Sequence, residues 1–481
     1  MIPVPEINLG GILPALILGV AGLLATLLGL FVRKGAATVG AIIGFTGVLI
    51  ALAANAPLRF MNTPAFNGMI VLDTFGWFFN LLILLSVGLT ILISMKYLTD
   101  QGLDLYEYFA ILLFSAVGMM FMASGAHLLM IFVGLETLSI GVYVLTGVLP
   151  QSSKASEASL KYLLLGAFSS AIFLYGAALL YGASGSLSLA GLAKYFQAGS
   201  LNAMGMIGMG LLLVGFSFKV AAVPFHMWTR DVYVGAPSPI TGFMSVGVKA
   251  AAFAAFLRVF IECFGSVQVT WSHILWILAV LTMILGNLAA LVQSNIKRML
   301  AYSSIAHAGY ILMGMVAGTA MGTAGILYYL LAYIFTNLGA FAVVTMVGRK
   351  GETNISIDDY RGLGKSHPSL ALVMSIFLFS LAGIPPTAGF IGKFTIFSAA
   401  IASGYLWLVI IGVLTSAASV FYYFRVVMKM YMEDPDVEQE SLKFSPSMAL
   451  ALSLTVLVVL YIGIFPTTYL NLATESVKSL F

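Results

Sequence analysis

Residues 128–148 read LLMIFVGLETLSIGVYVLTGV, twenty-one residues with one ionisable side chain, Glu136, near the centre. An α-helix rises about 1.5 Å per residue, so a run of this length crosses the roughly 30 Å hydrocarbon core of a bilayer. Lipid supplies no hydrogen-bond partner to a backbone, so a spanning segment of this kind is predicted to be helical. The same pattern recurs on both sides, near 11–32, 36–54, 74–95 and 108–123, then 158–181, 203–228, 238–261, 274–292 and 301–317. It continues near 324–347, 369–401, 405–430 and 448–469, giving about fourteen spans. Composition agrees, with 61% hydrophobic residues, 8% charged residues and a mean hydropathy of +1.05. These values exclude a water-soluble globule and predict an all-α integral membrane protein in contact with lipid.

The net charge of +4 is spread over short loops and forms no basic patch, so nucleic acid is not an expected partner. One alternate set of loops carries thirteen Lys and Arg residues, from Arg33 and Lys34 to Lys429 and Lys443, and the other carries Arg59, Lys194 and Lys478. That bias predicts that the first set faces the cytoplasm and that both termini lie on the outer side. Cys263 is the only cysteine, which rules out disulfides within the chain, thiolate zinc sites and cysteine-held iron–sulfur clusters here. Glu6 and no Lys or Arg precede the first apolar run, so the first helix is expected to persist instead of being cleaved as a signal peptide.

Ionisable residues inside apolar runs cost about 2.5 to 3.5 kcal/mol each at a helix centre, so each needs a partner, a wet cavity or a shifted proton affinity. Glu136 reads as a proton or ion site, with a structural ion pair as the alternative. Lys219 stands five residues before Pro224, whose missing N–H and ring should break the helix. If the helix continued, His226 would share the face of Lys219. Lys393 follows Pro385 and Pro386 in LAGIPPTAGFIGKF. Two interrupted helices at matching places in two halves are the mark of transporters with inverted repeats, and buried lysines suit a proton relay. Lys249 is equally deep, with Ser245 one turn away. Lys161, four residues after Glu157, suits a snorkelling surface pair as well as a relay site. Arg258 and Glu262 are expected to be interfacial anchors. In AYSSIAHAGY, His307 is a candidate shuttle between the lysine groups, flanked by Ser303, Ser304 and Tyr310. Tyr329, Tyr333, Thr336 and Asn337 are candidates to hold water beside it.

GLETLSIGVYVL, ASLKYLLLGAFSSAIFLYG, KVAAVPFHMWTRDVYVGAPSP, IKRMLAYSSIAHAGY and LAGIPPTAGFIGKF together resemble the antiporter-like membrane subunits of complex I, the proton-pumping NADH:quinone oxidoreductase. The resemblance runs from about the third span to the thirteenth. Within the family it is strongest to the subunit N branch: the L branch is longer with a lateral amphipathic helix, and the M branch usually has glutamate where this chain has Lys393. The resemblance implies that Glu136 pairs with Lys219 across neighbouring helices, that Lys249 links them toward His307 and Lys393, and that Lys161 also holds a functional position.

It further implies two inverted repeats of five helices, each with a broken helix, at 106–262 and 263–430, between N-terminal spans in 1–105 and a last loop and span in 431–481. This chain would hold no cofactor; NADH, FMN, iron–sulfur clusters and quinone would belong to the other membrane-arm and redox subunits of a hetero-oligomer in the bacterial inner membrane. A multi-subunit cation/proton antiporter and a hydrogenase-like membrane complex are the competing readings, and a purely structural scaffold is a third.

Overall fold

The computed structural model describes residues 8–149, 151–199, 202–434, 442 and 444–481; Glu6 and Lys443 lie outside them. Among the described residues, thirteen helices are long and apolar enough to cross a membrane. They are α1 (Leu9–Gly29), α2 (Ala36–Phe60), α3 (Thr74–Gln101), α4 (Glu107–Ser124), α5 (Leu128–Thr146), α6 (Ser153–Ser184), α8 (Ala203–Val220), α10 (Ser238–Cys263), α11 (Gly265–Leu291), α12 (Ile296–Ala317), α13 (Ala320–Val347), α16 (Leu406–Met432) and α17 (Pro446–Ile464). A further crossing is made jointly by the shorter α14 (Pro368–Ala382) and α15 (Ala388–Ala402). With this pair the described helices account for all fourteen apolar runs read in the sequence.

The exceptions to regular spans are informative. The run at 203–228 does not continue as one helix: α8 stops at Val220 and α9 (Met227–Gly235) completes the crossing, so His226 caps a new helix instead of extending the face of Lys219. The run at 369–401 is likewise two helices, and the last run ends at Ile464, after which α18 (Thr467–Ser476) folds back. Between the spans lie the amphipathic α7 (Leu189–Gln197) and an antiparallel hairpin, β1 (Thr63–Ala65) with β2 (Ile70–Leu72).

Both breaks end a helix in the same way. At the first, Ala221 adopts a left-handed φ of 61°, and the amides of Ala221 and Ala222 return to the carbonyls of Phe218 and Ser217. At the second, Gly383 (φ 87°) and Ile384 return to Ser380 and Phe379. This paired closure satisfies two of the carbonyls that a helix end leaves over. Side chains supply most of what remains. Thr282 Oγ1 accepts from the Val223 amide at 2.9 Å, and Trp228 Nε1 donates to the Phe218 carbonyl at 3.0 Å. Irregular backbone survives at membrane depth only where it is satisfied inside the protein.

The centre of the bundle is α13, buried from Gly322 to Val347 and packed among α10, α12 and α3. The outer helices α1, α6, α11, α16 and α17 each expose one apolar face, such as Leu281, Ile284 and Leu288 on α11. α18 packs against α3 and α13, and an Arg59–Glu475 ion pair at 2.5 Å ties it to the end of α2.

Candidate functional site

Helix geometry sets the depth of the ionisable residues. Lys249 lies eleven residues past Ser238, His307 eleven past Ile296, and Glu136 ten before Thr146. At about 1.5 Å per residue each stands roughly 15 to 16 Å from its helix end, near the middle of the core. Lys219 and Lys393 stand beside the two breaks, one in the last turn of α8 and the other five residues into α15.

In the first half, α5 presents Glu136 and, three residues on, Ser139. Lys219, 1% exposed, donates to Ser139 Oγ at 2.6 Å. No direct ion pair joins Glu136 and Lys219; the serine stands in the role that the resemblance assigns to the carboxylate. Glu136 keeps one oxygen, Oε1, buried without a hydrogen-bond partner. The rings of Tyr143 and Tyr162 lie 5.8 and 5.9 Å from the ammonium, so their faces offset part of its desolvation. The ammonium is thus held by a hydroxyl and two π-faces, with no carboxylate in contact.

Lys161 sits apart from this line. It is half exposed and pairs with Glu157 at 2.7 Å and with Asp231 of α9 at 2.9 Å. Asp231 was not legible as a partner, because it lies seventy residues away and reaches Lys161 only through the break that turns α9.

Lys249 follows a π-helical turn, Met244–Val248, inside α10, a distortion frequent at functional sites. It does not meet Ser245. Instead it donates to the carbonyl and hydroxyl of Ser304 on α12, at 2.6 and 2.7 Å, while Ser245 accepts from Asn337. From Ser304 the same helix leads to His307, 3% exposed and bound by two phenols: Tyr329 at Nδ1, and Tyr423 at Nε2 at 3.1 Å. Tyr423 OH also shares a hydrogen bond with Ser303, at 2.5 Å. Tyr333 packs against the imidazole. A small cavity of about 10 Å³, close to the room one water needs, is lined by His307, Tyr329, Tyr333, Thr336 and Ser380.

Lys393 closes the series. Its ammonium donates to the Leu381 and Ala382 carbonyls and to Ser416, each at 2.9 Å, and lies 5.0 Å from the Tyr310 ring. It thereby caps the carbonyl end of α14, where the helix dipole favours a cation. Gly383 permits this approach: a Cβ there would stand 3.0 Å from Lys393 Cδ, on a backbone that L residues rarely adopt. Gly383→Ala is expected to destabilise the protein by about 1 to 2 kcal/mol, read as a lower midpoint of thermal unfolding in detergent. An unchanged midpoint would mean that the break is not held by this turn.

Arg258 and Glu262 are not interfacial anchors. Arg258 is 1% exposed and makes a two-pronged ion pair with Asp73, at 2.8 and 2.9 Å, while also binding Glu262 and the Ala123 carbonyl. Asp73 caps the start of α3. Burial alone would raise its carboxyl; the Arg258 charge and hydrogen bonds outweigh that and hold it below the usual range.

Among the described residues no cluster of three His, Cys, Asp or Glu is placed to hold a metal ion. Of the partners missed in the sequence, Ser139 carried a signal, its i,i+3 spacing from Glu136. Tyr423 and Ser416 carried none, because only the packing of α16 against α12 and α15 brings them in.

Residues 125–419 match the family model for NADH:quinone oxidoreductase/Mrp antiporter membrane segments. A relative from Trichlorobacter lovleyi named NADH-quinone oxidoreductase subunit N is 50% identical over 474 residues, 98% of this chain and 97% of its own. A chain in the solved respiratory complex I from Thermus thermophilus with bound aureothin superposes with a TM-score of 0.81 at 35% identity, covering 96% of this chain and 99% of that one. A chain of the archaeal membrane-bound sulfane sulfur reductase gives 0.87 at 28% identity, covering 97% of each. Shared sequence over the whole length, shared fold and the matched family segment converge: the chain belongs to the NADH:quinone oxidoreductase/Mrp antiporter family of membrane proteins.

Proposed function

We propose that this chain is a proton-translocating membrane subunit of NADH:quinone oxidoreductase, of the subunit N type, seated in a bacterial inner membrane with both termini on the periplasmic side. The observation that carries the reading is the series of ionisable groups inside apolar helices, the partly buried Glu136 and the buried Lys219, Lys249, His307 and Lys393. Residues 106–262 and 263–430 are read as its two inverted repeats, broken at Pro224 and at Pro385 and Pro386. The loop-charge bias supports the orientation.

On this reading the chain performs no redox step. NADH, FMN, iron–sulfur clusters and quinone act on partner subunits, and their reaction alters the charge balance along the line. Loss of a proton at one lysine lowers the cost of charging its neighbour, so protons advance between Lys219, Lys249 and Lys393 through Ser304, His307 and its phenols. Lys161, paired with Asp231, adjusts the charge beside the first broken helix. Each charge moved against the membrane potential costs about 2.3 kcal/mol per 100 mV, which the redox reaction supplies.

The chain, tagged and purified from its own membranes in mild detergent, is expected to bring with it NADH:quinone reductase activity and flavin and iron–sulfur spectra. Recovery of a flavin-free complex that exchanges cations for protons would replace this reading with that of a gradient-driven antiporter, the second reading that the family description admits.

A further inference from the structure

We propose that Glu352 and Lys297 form a proton-uptake station at the cytoplasmic ends of the helices, which loads Lys249 along α12. The proposal rests on the proton-translocating function and orientation inferred above. After α13 the chain turns back through Glu352, whose backbone is left-handed (φ 54°). Its carboxylate reaches inward: Oε1 accepts from the Ser238 amide at 2.7 Å, and Oε2 from Lys297 Nζ at 2.5 Å. Lys297 is wholly buried and also donates to the Ala236 carbonyl at 2.6 Å. The Glu352 side chain is 10% exposed. An ion pair this dry is a poor way to gain stability, since apolar side chains of like size generally serve as well or better. Its charges invite another role.

Two observations connect the pair to water on one side and to the relay on the other. Glu352 lines a small cavity with Tyr97, Asp100, Gln101 and Arg349, in the region where the exposed Asp100 marks the end of α3. Tyr97 is 3% exposed, and its hydroxyl stands beside the Glu352 carboxylate. In the other direction, Ser304 lies seven residues beyond Lys297 on α12, two turns or about 10 Å along one face. Lys249 already donates to Ser304. The hydroxyl of Tyr233, on α9, is buried beside Ser304 along the same stretch.

The transfer balances without electrons. Glu352 takes a proton from cytoplasmic water and loses its negative charge, which removes the partner of Lys297. Lys297 then releases its proton through Tyr233, Ser304 and intervening water to a neutral Lys249. Glu352 returns its own proton to Lys297, and the station is reset with one proton moved from water to Lys249.

The test is Glu352→Gln in the whole complex in vesicles, with Lys219→Ala in parallel. The amide oxygen still accepts from Lys297 or Ser238, but the side chain can neither take up nor release a proton. The expected result is an assembled complex whose NADH-driven pumping falls about tenfold or more, with a larger solvent deuterium isotope effect as uptake becomes limiting, and with partial recovery in Glu352→Asp. A structural staple would not move the isotope effect. Normal pumping and an unchanged isotope effect in Glu352→Gln overturn the uptake station if Lys219→Ala pumps poorly, and overturn the translocation reading itself if Lys219→Ala also pumps normally. Should Glu352→Gln fail to assemble, Tyr97→Phe, which removes only a hydroxyl, is expected to raise the isotope effect, and no change there overturns the station.

Discussion

Vesicles carrying the assembled complex with Lys219→Ala are expected to lose NADH-driven proton pumping, by about a hundredfold or more if the lysine is an obligatory proton carrier, while NADH oxidation by an artificial electron acceptor persists. The reasoning starts from what holds the side chain. Lys219 is buried, accepts no carboxylate partner, and is bound by Ser139 Oγ and two tyrosine faces. Alanine removes a group whose placement in the core costs about 2.5 to 3.5 kcal/mol, so its loss does not undermine assembly and a pumping defect is a defect of transfer. Lys219→Arg is expected to fail as well, because a guanidinium does not release its proton in the working pH range. Glu136→Ala should behave similarly, since the unpartnered Oε1 is the negative charge near that ammonium. Pumping at the normal rate in both variants would make these charges structural and end the relay reading.

A second large effect is expected where α10 meets the start of α3, in assembly instead of transfer. Arg258→Leu leaves Asp73, 3% exposed, and the partly buried Glu262 without their cation. Removing one member of a buried ion pair typically costs about 3 to 5 kcal/mol, because the remaining charge keeps its desolvation penalty. The complex is therefore expected to be depleted from membranes or to unfold at markedly lower temperature. Arg258→Leu combined with Asp73→Leu should recover most of that loss, since an apolar pair of similar volume carries no uncompensated charge. A loss below about 1 kcal/mol, the range of exposed pairs, would show that water reaches this cluster and that it ties α3 to α10 only weakly.

These two sites also mark the boundary of what could be read without coordinates. Lys219 was visible because a charge inside an apolar run stands out against lipid, whatever its neighbours are. Arg258 was equally visible but was read as an anchor, because its partner Asp73 is 185 residues away and lies next to a span instead of inside one. Lys161 shows the same limit: its local partner Glu157 was evident, whereas Asp231 depended on the path of a broken helix.

By itself the sequence determined the helical class, the apolar runs, the side of the membrane that the loop charges favour, and the place of Lys219, Lys249, His307 and Lys393 inside those runs. All of these follow from chain-local physics: a 30 Å apolar slab that demands internal backbone hydrogen bonds, a fixed rise per residue, and proline and glycine acting on their own turns. Only the tertiary structure decided what each charge touches. It set a serine instead of a carboxylate against Lys219, tied Lys249 to Ser304 and not to Ser245, surrounded His307 with phenols from α13 and α16, and drew Lys393 onto the carbonyl end of α14. Helix periodicity assigns a side chain to a face, but which helix that face meets depends on packing among elements far apart in the chain, and a hydrogen bond is made or lost within less than 1 Å of that packing.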